Sequence, residues 1–324
     1  MSVENLSKRF NLEAGFFARF GRFVYAVNGV SFSIGENESY GLVGESGCGK
    51  TTTARLLVRM YERDSGSILY RDGTDAGGLS GKALKAYREK VKYIFQDPAR
   101  SLNPRMSVYE VLVSGYRYSS RFHGEKSARQ EAGDILEEVG LVREDLERRP
   151  SEFSGGQRQR ISIARGLLLK PELLICDEVV SALDVSIQGQ ILNLLLDIRE
   201  KRGLSFLFIA HDLRVACYFC DRIGVMYRGE LMEEAPAAEL YRNARHPYTK
   251  LLFSSVSGTG IPRPGTAVTG PGGRPAPADT SDLSPGCPFA PRCPEARERC
   301  FAEHPETGEM VTGHRIRCFN APEG

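Results

Sequence analysis

The chain has 324 residues, of which 41% are hydrophobic and 26% are charged, with 43 basic against 41 acidic side chains. This composition is too apolar for a disordered chain, and it supplies a core for one large α/β domain or two modest ones. Because the net charge is only +2, we do not expect the chain to bind nucleic acid or other polyanions over a large part of its surface. No stretch approaches the roughly 18 consecutive apolar residues that span a bilayer. Because the N-terminus is charged where a signal peptide is apolar, we expect a cytosolic chain.

The first predicted elements are short strands. Residues 26–34 alternate inward-facing and outward-facing side chains before a turn, which is typical of a strand. Residues 14–23 carry four phenylalanines beside two arginines, and they form either a hairpin packed on its own sheet or a surface for a membrane or partner. Residues 39–43 form a short apolar strand, and residues 52–60 form the helix after a glycine-rich loop.

A helical region is predicted after the next strand. That strand covers residues 91–95, and residues 105–150 have a helical pattern. A capping box at Ser107 opens one helix. A second helix covers residues 126–139 and stops at Gly140, a residue type that ends helices in the left-handed conformation. We expect this stretch to be a lobe inserted between strands.

The remaining half of the chain divides into three parts. From 156 to 256, helices alternate with apolar strands at residues 173–176 and 205–210, which predicts parallel strands joined by crossover helices. Residues 258–286 contain 13 Gly or Pro among 29 positions and are predicted to be a linker. Residues 287–324 hold four of the eight cysteines; we call them the cysteine module.

The strongest motif is a glycine-rich loop at residues 44–51, GESGCGKT, between an apolar strand and a helix. Glycines let the backbone wrap a polyphosphate, so that several N–H groups and the helix N-terminus point at the anion. Lys50 adds positive charge at the β- and γ-phosphates, and Thr51 offers a hydroxyl to Mg²⁺. The motif therefore predicts binding of a nucleoside triphosphate. The expected contacts are Gly44, Ser46, Gly47, Cys48, Gly49, Lys50, Thr51 and Thr52.

Two carboxylates end the apolar strand at residues 173–176. Asp177 can hold Mg²⁺ through its water shell. Glu178 is one residue further on, where it can polarise a water for attack on the γ-phosphate. An apolar strand followed by two acids is a weak signal alone, but the phosphate loop strengthens it.

Three further features indicate the kind of triphosphatase. Residues 154–157 (Ser154, Gly155, Gly156 and Gln157) precede a basic helix at residues 158–169, where they either recognise phosphate or simply cap the helix. Gln96 ends a strand, where its amide can reach Mg²⁺ or the attacking water; alone it would be a surface residue. His211 ends another strand, where it can contact a γ-phosphate; alone it would be structural.

In this order the motifs resemble the ATPase domain of ABC transporters over residues 3–256. The resemblance implies an α/β P-loop NTPase core with an N-terminal antiparallel β-subdomain, and an ATPase domain at 1–257 with an inserted α-helical subdomain at about 97–155. The linker and a small C-terminal cysteine-rich module follow. It also implies a head-to-tail dimer in which each ATP meets one protomer's phosphate loop and residues 154–157 of the other.

The resemblance also implies roles for single residues in hydrolysis. Glu178 is expected to be the general base, while Gln96 and His211 position the attacking water and the γ-phosphate. Lys50 is expected to stabilise the charge on the phosphates.

Further residues are expected to bind the nucleotide and its metal. Phe10 matches the aromatic that stacks on adenine, with Tyr25 as the rival. Asp184 lies in the loop that communicates across the dimer. The expected Mg²⁺ ligands are Thr51, Gln96 and Asp177.

The flanking sequences resemble one branch of this family more closely. Residues 95–105, 181–188 and 246–249 are similar to the ATPases of oligopeptide/dipeptide importers, in particular to the second of two paralogues. This implies a paralogous ATPase partner, two permease subunits, an extracytoplasmic binding protein indirectly, no nucleic acid, and a peripheral position at the cytoplasmic face of the inner membrane. Val179 departs from the family, which has proline there. Other cargo (nickel or sugars) and a soluble non-transport ABC ATPase are the alternatives.

The cysteine module has the spacing Cys287-x5-Cys293-x6-Cys300-x17-Cys318. Four thiolates suit tetrahedral Zn²⁺ or a [4Fe–4S] cluster, but this spacing matches neither zinc ribbons nor ferredoxins. Free structural thiols and disulfides also remain open on the residues alone. The similarity of the tail to peptide-importer ATPases implies a [4Fe–4S] cluster that holds together a segment with little apolar material.

Overall fold

The computed structural model describes residues 1–11, 23–256, 285–311 and 313–320. Two compact units make up the chain: Met1–Ser33 with Tyr40–Gly77 and Ala210–Gly324, and Ile34–Ser39 with Gly78–Ile209. The predicted insert at 14–23 and the predicted linker at 258–286 fall almost wholly outside the described residues. Within the described ranges, no helix has the length and apolar character needed to cross a membrane.

The strands follow the chain in this order: β1 (Ser2–Asn11), β2 (Phe23–Ser33), β3 (Ser39–Val43), β4 (Ser65–Leu69), β5 (Val91–Ile94), β6 (Leu173–Asp177), β7 (Ser205–Ala210), β8 (Arg222–Tyr227), β9 (Glu230–Pro236), β10 (Gly308–Val311) and β11 (His314–Ile316). Strands β3 and β7 coincide with the predicted ranges, and β5 and β6 differ from them by one residue at the C-terminal end.

The helices are α1 (Lys50–Leu57), α2 (Gly81–Lys90), α3 (Pro98–Ser101), α4 (Val108–Tyr116), α5 (Glu125–Glu138), α6 (Gly155–Leu167), α7 (Val185–Arg202), α8 (Leu213–Phe219), α9 (Ala237–Asn243), α10 (Pro247–Val256) and α11 (Glu298–Ala302). Short 3₁₀ turns cover Ala76–Gly78, Arg143–Glu147, Pro150–Glu152 and Ala290–Arg292.

The first unit contains a three-stranded antiparallel sheet in the order β2-β1-β4. Val3 is opposite Phe32 on one side and Ile68 on the other, and all three side chains are buried. This sheet confirms the antiparallel strands expected at the N-terminus. Strand β4 was not predicted, because its sequence is mostly Ser and Gly and has little apolar signal.

A mixed sheet in the same unit has the order β10-β11-β9-β8-β3. Strands β3 and β8 are parallel, but β9 returns antiparallel to β8. The prediction of parallel strands with crossover helices throughout 156–256 is therefore wrong at β9. The physical reason is a two-residue hairpin turn at Arg228 and Gly229, whose φ angles of 45° and 86° match the twist of the flanking strands.

Strand β9 is acidic, and the C-terminal residues neutralise it. Glu230 accepts hydrogen bonds from Arg317 and His304, each at 2.8 Å. Glu233 is 1% exposed; its carboxylate pairs with His314 at 2.9 Å and accepts from the backbone N–H of Arg245 at 2.7 Å. The cysteine module therefore docks on β9 through hydrogen bonds from Arg317, His304 and His314 to the glutamates of this strand.

The second unit has three parallel strands in the order β7-β6-β5, with Leu173 paired to both Val91 and Ser205. Between β5 and β6 the chain forms helices, as the predicted inserted lobe requires. The capping box at Ser107 is confirmed, and Gly140 follows α5 with a φ of 76°. Helix α6 starts at Gly155, three residues earlier than predicted.

We predict a pH-dependent cost for Glu233→Gln. Burial raises the pKa of Glu233, but hydrogen bonds from His314 and from two backbone N–H groups outweigh burial and hold this pKa below its ordinary 4.5. The ionised carboxylate thus stabilises the fold above about pH 4.5, and this stabilisation is lost as the pH falls through the lower folded value. We expect the free energy of unfolding of the variant, measured with urea, to be about 2–4 kcal/mol lower than that of the unmodified chain at pH 7. The difference should be smaller below pH 4.5.

The control is Glu298→Gln, an exposed carboxylate on α11. It should shift the urea midpoint little at either pH. An equal loss for Glu233→Gln at pH 7 and pH 4 would contradict the assigned role of the charge.

Candidate functional site

The predicted phosphate loop leads from β3 into α1. Gly49 caps α1 with a φ of 109°, and a Cβ there would lie 2.0 Å from the carbonyl oxygen of Ala26. A Cβ on Gly44 would lie 2.1 Å from the carbonyl oxygen of Met226. Both positions therefore require glycine, since the loop backbone rests directly on neighbouring backbone. This leaves the first N–H groups of α1 at the end of a tightly packed loop, as anion binding requires.

Lys50 is buried inside this loop, with 4% of its surface exposed. Its ammonium donates to the carbonyl oxygens of Gly44 at 2.7 Å and Glu45 at 2.9 Å, and it lies 3.8 Å from Cys48 Sγ. Within the described part of the chain, no carboxylate forms an ion pair with it. A buried cation held by neutral acceptors attracts an anion, because it remains uncompensated.

The other loop residues differ in exposure. Ser46 and Gly47 are exposed at the tip, and Thr51 and Thr52 are half-buried on the first turn of α1. Cys48 is buried. Burial raises the pKa of its thiol and outweighs the opposite effect of the nearby Lys50 charge.

Sequence reasoning missed two residues that hold the loop from outside. The backbone N–H of Glu45 donates to Tyr248 Oη at 3.0 Å. The carboxylate of Glu45 accepts two hydrogen bonds from the guanidinium of Arg292, at 2.7 and 2.8 Å. No local sequence signal could link Glu45 to a residue 247 positions away.

In the second unit, two hydrogen-bonded pairs of side chains lie at the end of β6. Gln96 Nε2 donates to Glu178 Oε2 at 2.7 Å. Asp177 is 3% exposed and accepts a short hydrogen bond from Tyr93 Oη. Tyr93 was not predicted, although its place on β5, next to β6, is consistent with this contact. The structure thus pairs the Gln96 amide directly with the Glu178 carboxylate, a contact that the sequence did not predict.

Glu178 has an unusual backbone. Its φ is 49°, in the left-handed region that non-glycine residues rarely adopt. The turn is held by Ser181, whose N–H and hydroxyl both donate to the carbonyl oxygen of Glu178, at 3.1 and 2.9 Å. Val179, which stands where the family has proline, is 2% exposed. Hydrogen bonds and apolar burial therefore hold this turn without the proline ring. Asp184 ends the turn as the exposed N-cap of α7.

Residues 154–157 form the start of α6. Ser154 Oγ accepts from the N–H of Gln157 at 3.4 Å, and Gln157 Oε1 accepts from the N–H of Ser154 at 3.0 Å. This capping box explains why α6 begins three residues before the predicted helix. A Cβ on Gly156 would lie 2.7 Å from Ile187 Cγ2, whereas Gly155 has space. Ser154 and Gly155 are exposed at this helix N-terminus.

Two predicted residues of the first unit lie on its surface. His211 is exposed immediately after β7. Phe10 is half-buried on β1; its ring packs edge-on against Tyr61 at 5.4 Å, with Lys8 Nζ 5.6 Å from the ring centre. The rival Tyr25 is half-buried on β2, paired with the residue before Phe10.

All four cysteines of the module border one small cavity. Two of their sulfurs accept backbone hydrogen bonds: Cys300 Sγ from Arg297 at 3.5 Å and Cys318 Sγ from Asn320 at 3.4 Å. Burial raises the pKa of Cys293 to about 11. Among the residues that the structure describes, no group of three or more His, Cys, Asp or Glu side chains is arranged to hold a metal ion.

The predicted site residues fall into two sets. The first unit contains Phe10, residues 44–52, His211 and the cysteines, and the second contains Gln96, residues 154–157, Asp177 and Glu178. Within the second set, the structure shows direct contact between Gln96 and Glu178.

Comparison with known families gives two matches along the chain. A model described as ABC transporter matches residues 27–181. A second model, described as oligopeptide/dipeptide transporter, C-terminal region, matches residues 232–300. The second match covers β9 and the beginning of the cysteine module.

The fold is also similar to solved structures. One is a dimeric, post-hydrolysis state of the ATP-binding cassette MJ0796 bound to ADP and Pi, with a TM-score of 0.64 and 26% identity over 73% of this chain and 98% of that one. Another is cbiO1 of Clostridium perfringens, with a TM-score of 0.64 and 26% identity over 75% of this chain and 90% of that one. These similarities support the α/β P-loop fold of an ABC ATPase.

Curated relatives extend the similarity over nearly the whole chain. The putative oligopeptide transport ATP-binding protein YkfD of Bacillus subtilis (strain 168) is 45% identical over 302 residues, covering 92% of this chain and 90% of that protein. The oligopeptide transport ATP-binding protein AppF of the same organism is 42% identical, covering 98% of this chain and 96% of that protein. The chain therefore belongs to the family of ATP-binding proteins of oligopeptide/dipeptide ABC transporters.

Proposed function

We propose that this chain is the ATP-hydrolysing subunit that powers a membrane importer of dipeptides or oligopeptides. The observation that carries the nucleotide role is the buried Lys50 ammonium, held only by loop acceptors among the described residues at the N-terminus of α1. The peptide cargo rests on the family and on the names of the relatives. ATP with Mg²⁺ is the expected substrate of an ABC ATPase.

The phosphate loop would bind the β- and γ-phosphates. Lys50 and the N–H groups at the start of α1 supply positive charge that is already oriented, so little reorganisation accompanies binding. Phosphate oxygens would take over the hydrogen bonds that Lys50 now gives to Gly44 and Glu45. Phe10 is proposed to stack on the adenine, and its edge contact with Tyr61 fixes its ring.

Glu178 is proposed as the general base. Its carboxylate accepts from Gln96 at 2.7 Å, so the amide can orient the carboxylate or the water it activates. We assign the Mg²⁺ ligands to Thr51, Gln96 and Asp177, and Tyr93 positions the last of these. Mg²⁺ supplies charge neutralisation on the phosphates. His211 is proposed to contact the γ-phosphate.

The partner assignments concern the assembled transporter. Residues 154–157 are proposed to meet the ATP of a second ATPase, a paralogue of this chain. The exposed N-terminus of α6 supports this, because it offers N–H groups to an anion. Asp184 would lie in the loop through which one ATPase of the dimer communicates with the other. We further propose that this chain binds two permease subunits at the cytoplasmic face of the inner membrane, as a peripheral protein. An extracytoplasmic binding protein would act with it only indirectly, through the permease. We also propose that the ATPase domain ends at residue 257 and that the cysteine module begins at residue 287.

Glu178→Gln tests the general base. The amide cannot take a proton, so we expect ATP turnover to fall by about 10²-fold or more while ATP binding stays intact and the closed dimer accumulates. Turnover is measured as phosphate release and the dimer by gel filtration with ATP.

Glu172→Gln is the matched control. Its carboxylate precedes β6 and pairs with Lys90 at 3.4 Å, so its turnover should match that of the unmodified chain. Unmodified turnover in Glu178→Gln would refute the assignment.

A [4Fe–4S] cluster is proposed for the cysteine module. The chemistry of the donor set supports it, since four cysteines border one cavity and two of their sulfurs accept hydrogen bonds from backbone N–H groups. The group would be held by Cys287, Cys293, Cys300 and Cys318, and it would supply covalent cross-links to a segment with few apolar residues. Zn²⁺ is the competing occupant of the same thiolates.

Anaerobic purification of the full chain tests this assignment. We expect about four irons and four acid-labile sulfides per chain, lost in Cys293→Ser but kept in Cys217→Ser, whose cysteine lies outside the module. Loss of the cluster should also lower the thermal midpoint. Zinc without sulfide, or no metal at all, would overturn the iron–sulfur proposal.

Affinity purification from native membranes tests the partners. Native mass spectrometry should find this chain with one paralogous ATPase and two permease chains. Recovery alone, as a homodimer without permease, or on ribosomes would contradict the transporter assignment while leaving the ATPase intact.

A further inference from the structure

A single arginine connects the cysteine module to the phosphate loop. The 3₁₀ turn Ala290–Arg292 lies between Cys287 and Cys293 and carries Arg292. The guanidinium of Arg292 binds both carboxylate oxygens of Glu45, at 2.7 and 2.8 Å, in the two-pronged arrangement that fixes orientation as well as distance. The two side chains are 44% and 41% exposed, so the pair lies at the surface of the loop.

Buried aromatic rings set the position of this arginine. Its Cζ lies 5.7 Å from the ring centre of Tyr227 and 5.9 Å from that of Phe289, in cation–π contact. Phe289 and Tyr248 are fully buried, with ring centres 5.3 Å apart. Tyr248 also accepts the N–H of Glu45. Backbone and side chain of Glu45 are therefore both held by one cluster, to which the module contributes Phe289 and Arg292.

The charge of Glu45 opposes the function proposed for its loop. A carboxylate on a loop that receives a polyphosphate repels it over several ångströms. The hydrogen bonds from Arg292 lower the pKa of Glu45, so this carboxylate is ionised at neutral pH. Arg292 brings a compensating positive charge to the same place, and without it the negative charge would face the anion unpaired.

We propose that Arg292 is a positioning residue for nucleotide binding: it neutralises and orients Glu45, so that the cysteine module contributes to the affinity of the phosphate loop. This inference rests on the proposed nucleotide role of that loop. The cysteine module would then raise the affinity of the loop for nucleotide.

Charge neutralisation predicts opposite effects on nucleotide affinity for the removal of Arg292 and the removal of Glu45. We would measure the Kd of a fluorescent ATP analogue with Mg²⁺ for the full chain, for Arg292→Gln, for Glu45→Gln and for the double variant. Arg292→Gln should weaken binding about five-fold at low salt, because it leaves Glu45 unpaired. Glu45→Gln should bind as tightly as the unmodified chain or more tightly, and the double variant should recover to within about two-fold of it.

The matched control is Arg299→Gln in the same module. Arg299 pairs with Glu303 at 2.8 Å and stacks on Phe319, away from the loop, so its removal should leave the Kd unchanged. The loss in Arg292→Gln should also shrink when salt rises from about 50 to 500 mM, since screening weakens repulsion. Circular dichroism checks that each variant is folded.

The outcomes separate this inference from the proposed function. If Arg292→Gln binds as Arg299→Gln does, or if the double variant is as weak as Arg292→Gln, charge neutralisation by Arg292 is refuted. If Lys50→Ala retains full nucleotide affinity, the nucleotide role of the loop itself fails.

Discussion

The phosphate loop is organised around one buried positive charge, the ammonium of Lys50. An ammonium with 4% exposure has to be solvated by the protein, and the carbonyl oxygens of Gly44 and Glu45 do this. The carbonyls can converge only because the loop lies against the backbone at Ala26 and Met226, where no Cβ fits. The glycines at positions 44 and 49 and the start of α1 at Lys50 therefore all serve to place carbonyl oxygens around the Lys50 ammonium.

The second unit organises negative charge in a comparable way. Asp177 is the last residue of a strand that is buried along its whole length, and Glu178 follows it directly, so the strand fixes the position of both acids. Tyr93 and Gln96 each contribute one hydrogen bond to these acids. The left-handed backbone of Glu178 is a strained conformation, retained here by the hydrogen bonds that close the turn. The turn therefore keeps the Glu178 backbone in a conformation that this residue type rarely adopts.

Local signals predicted local structure. The loop at residues 44–51 and the capping box at Ser107 depend on neighbours within a few positions, and both are confirmed. Strand β9 could not be predicted, because its glutamates can be buried only beside the distant hydrogen-bond donors Arg317 and His314. Tyr93 and Arg292 were missed for the same reason: each contacts its partner through the fold, 84 and 247 residues away. The motifs located the candidate site residues in the sequence, whereas no motif pointed to the distant groups that contact them.

The burial of Cys48 has a chemical consequence for the loop that contains it. Thiols react with oxidants and electrophiles as thiolates, and burial keeps this one protonated in spite of the adjacent Lys50. The 5% exposure of Cys48 and its raised pKa both lower the reactivity of this thiol toward peroxide and alkylating reagents. Substitution by serine would replace a compact apolar group with a hydroxyl that demands a hydrogen-bond partner. In this loop, cysteine acts as an inert packing residue.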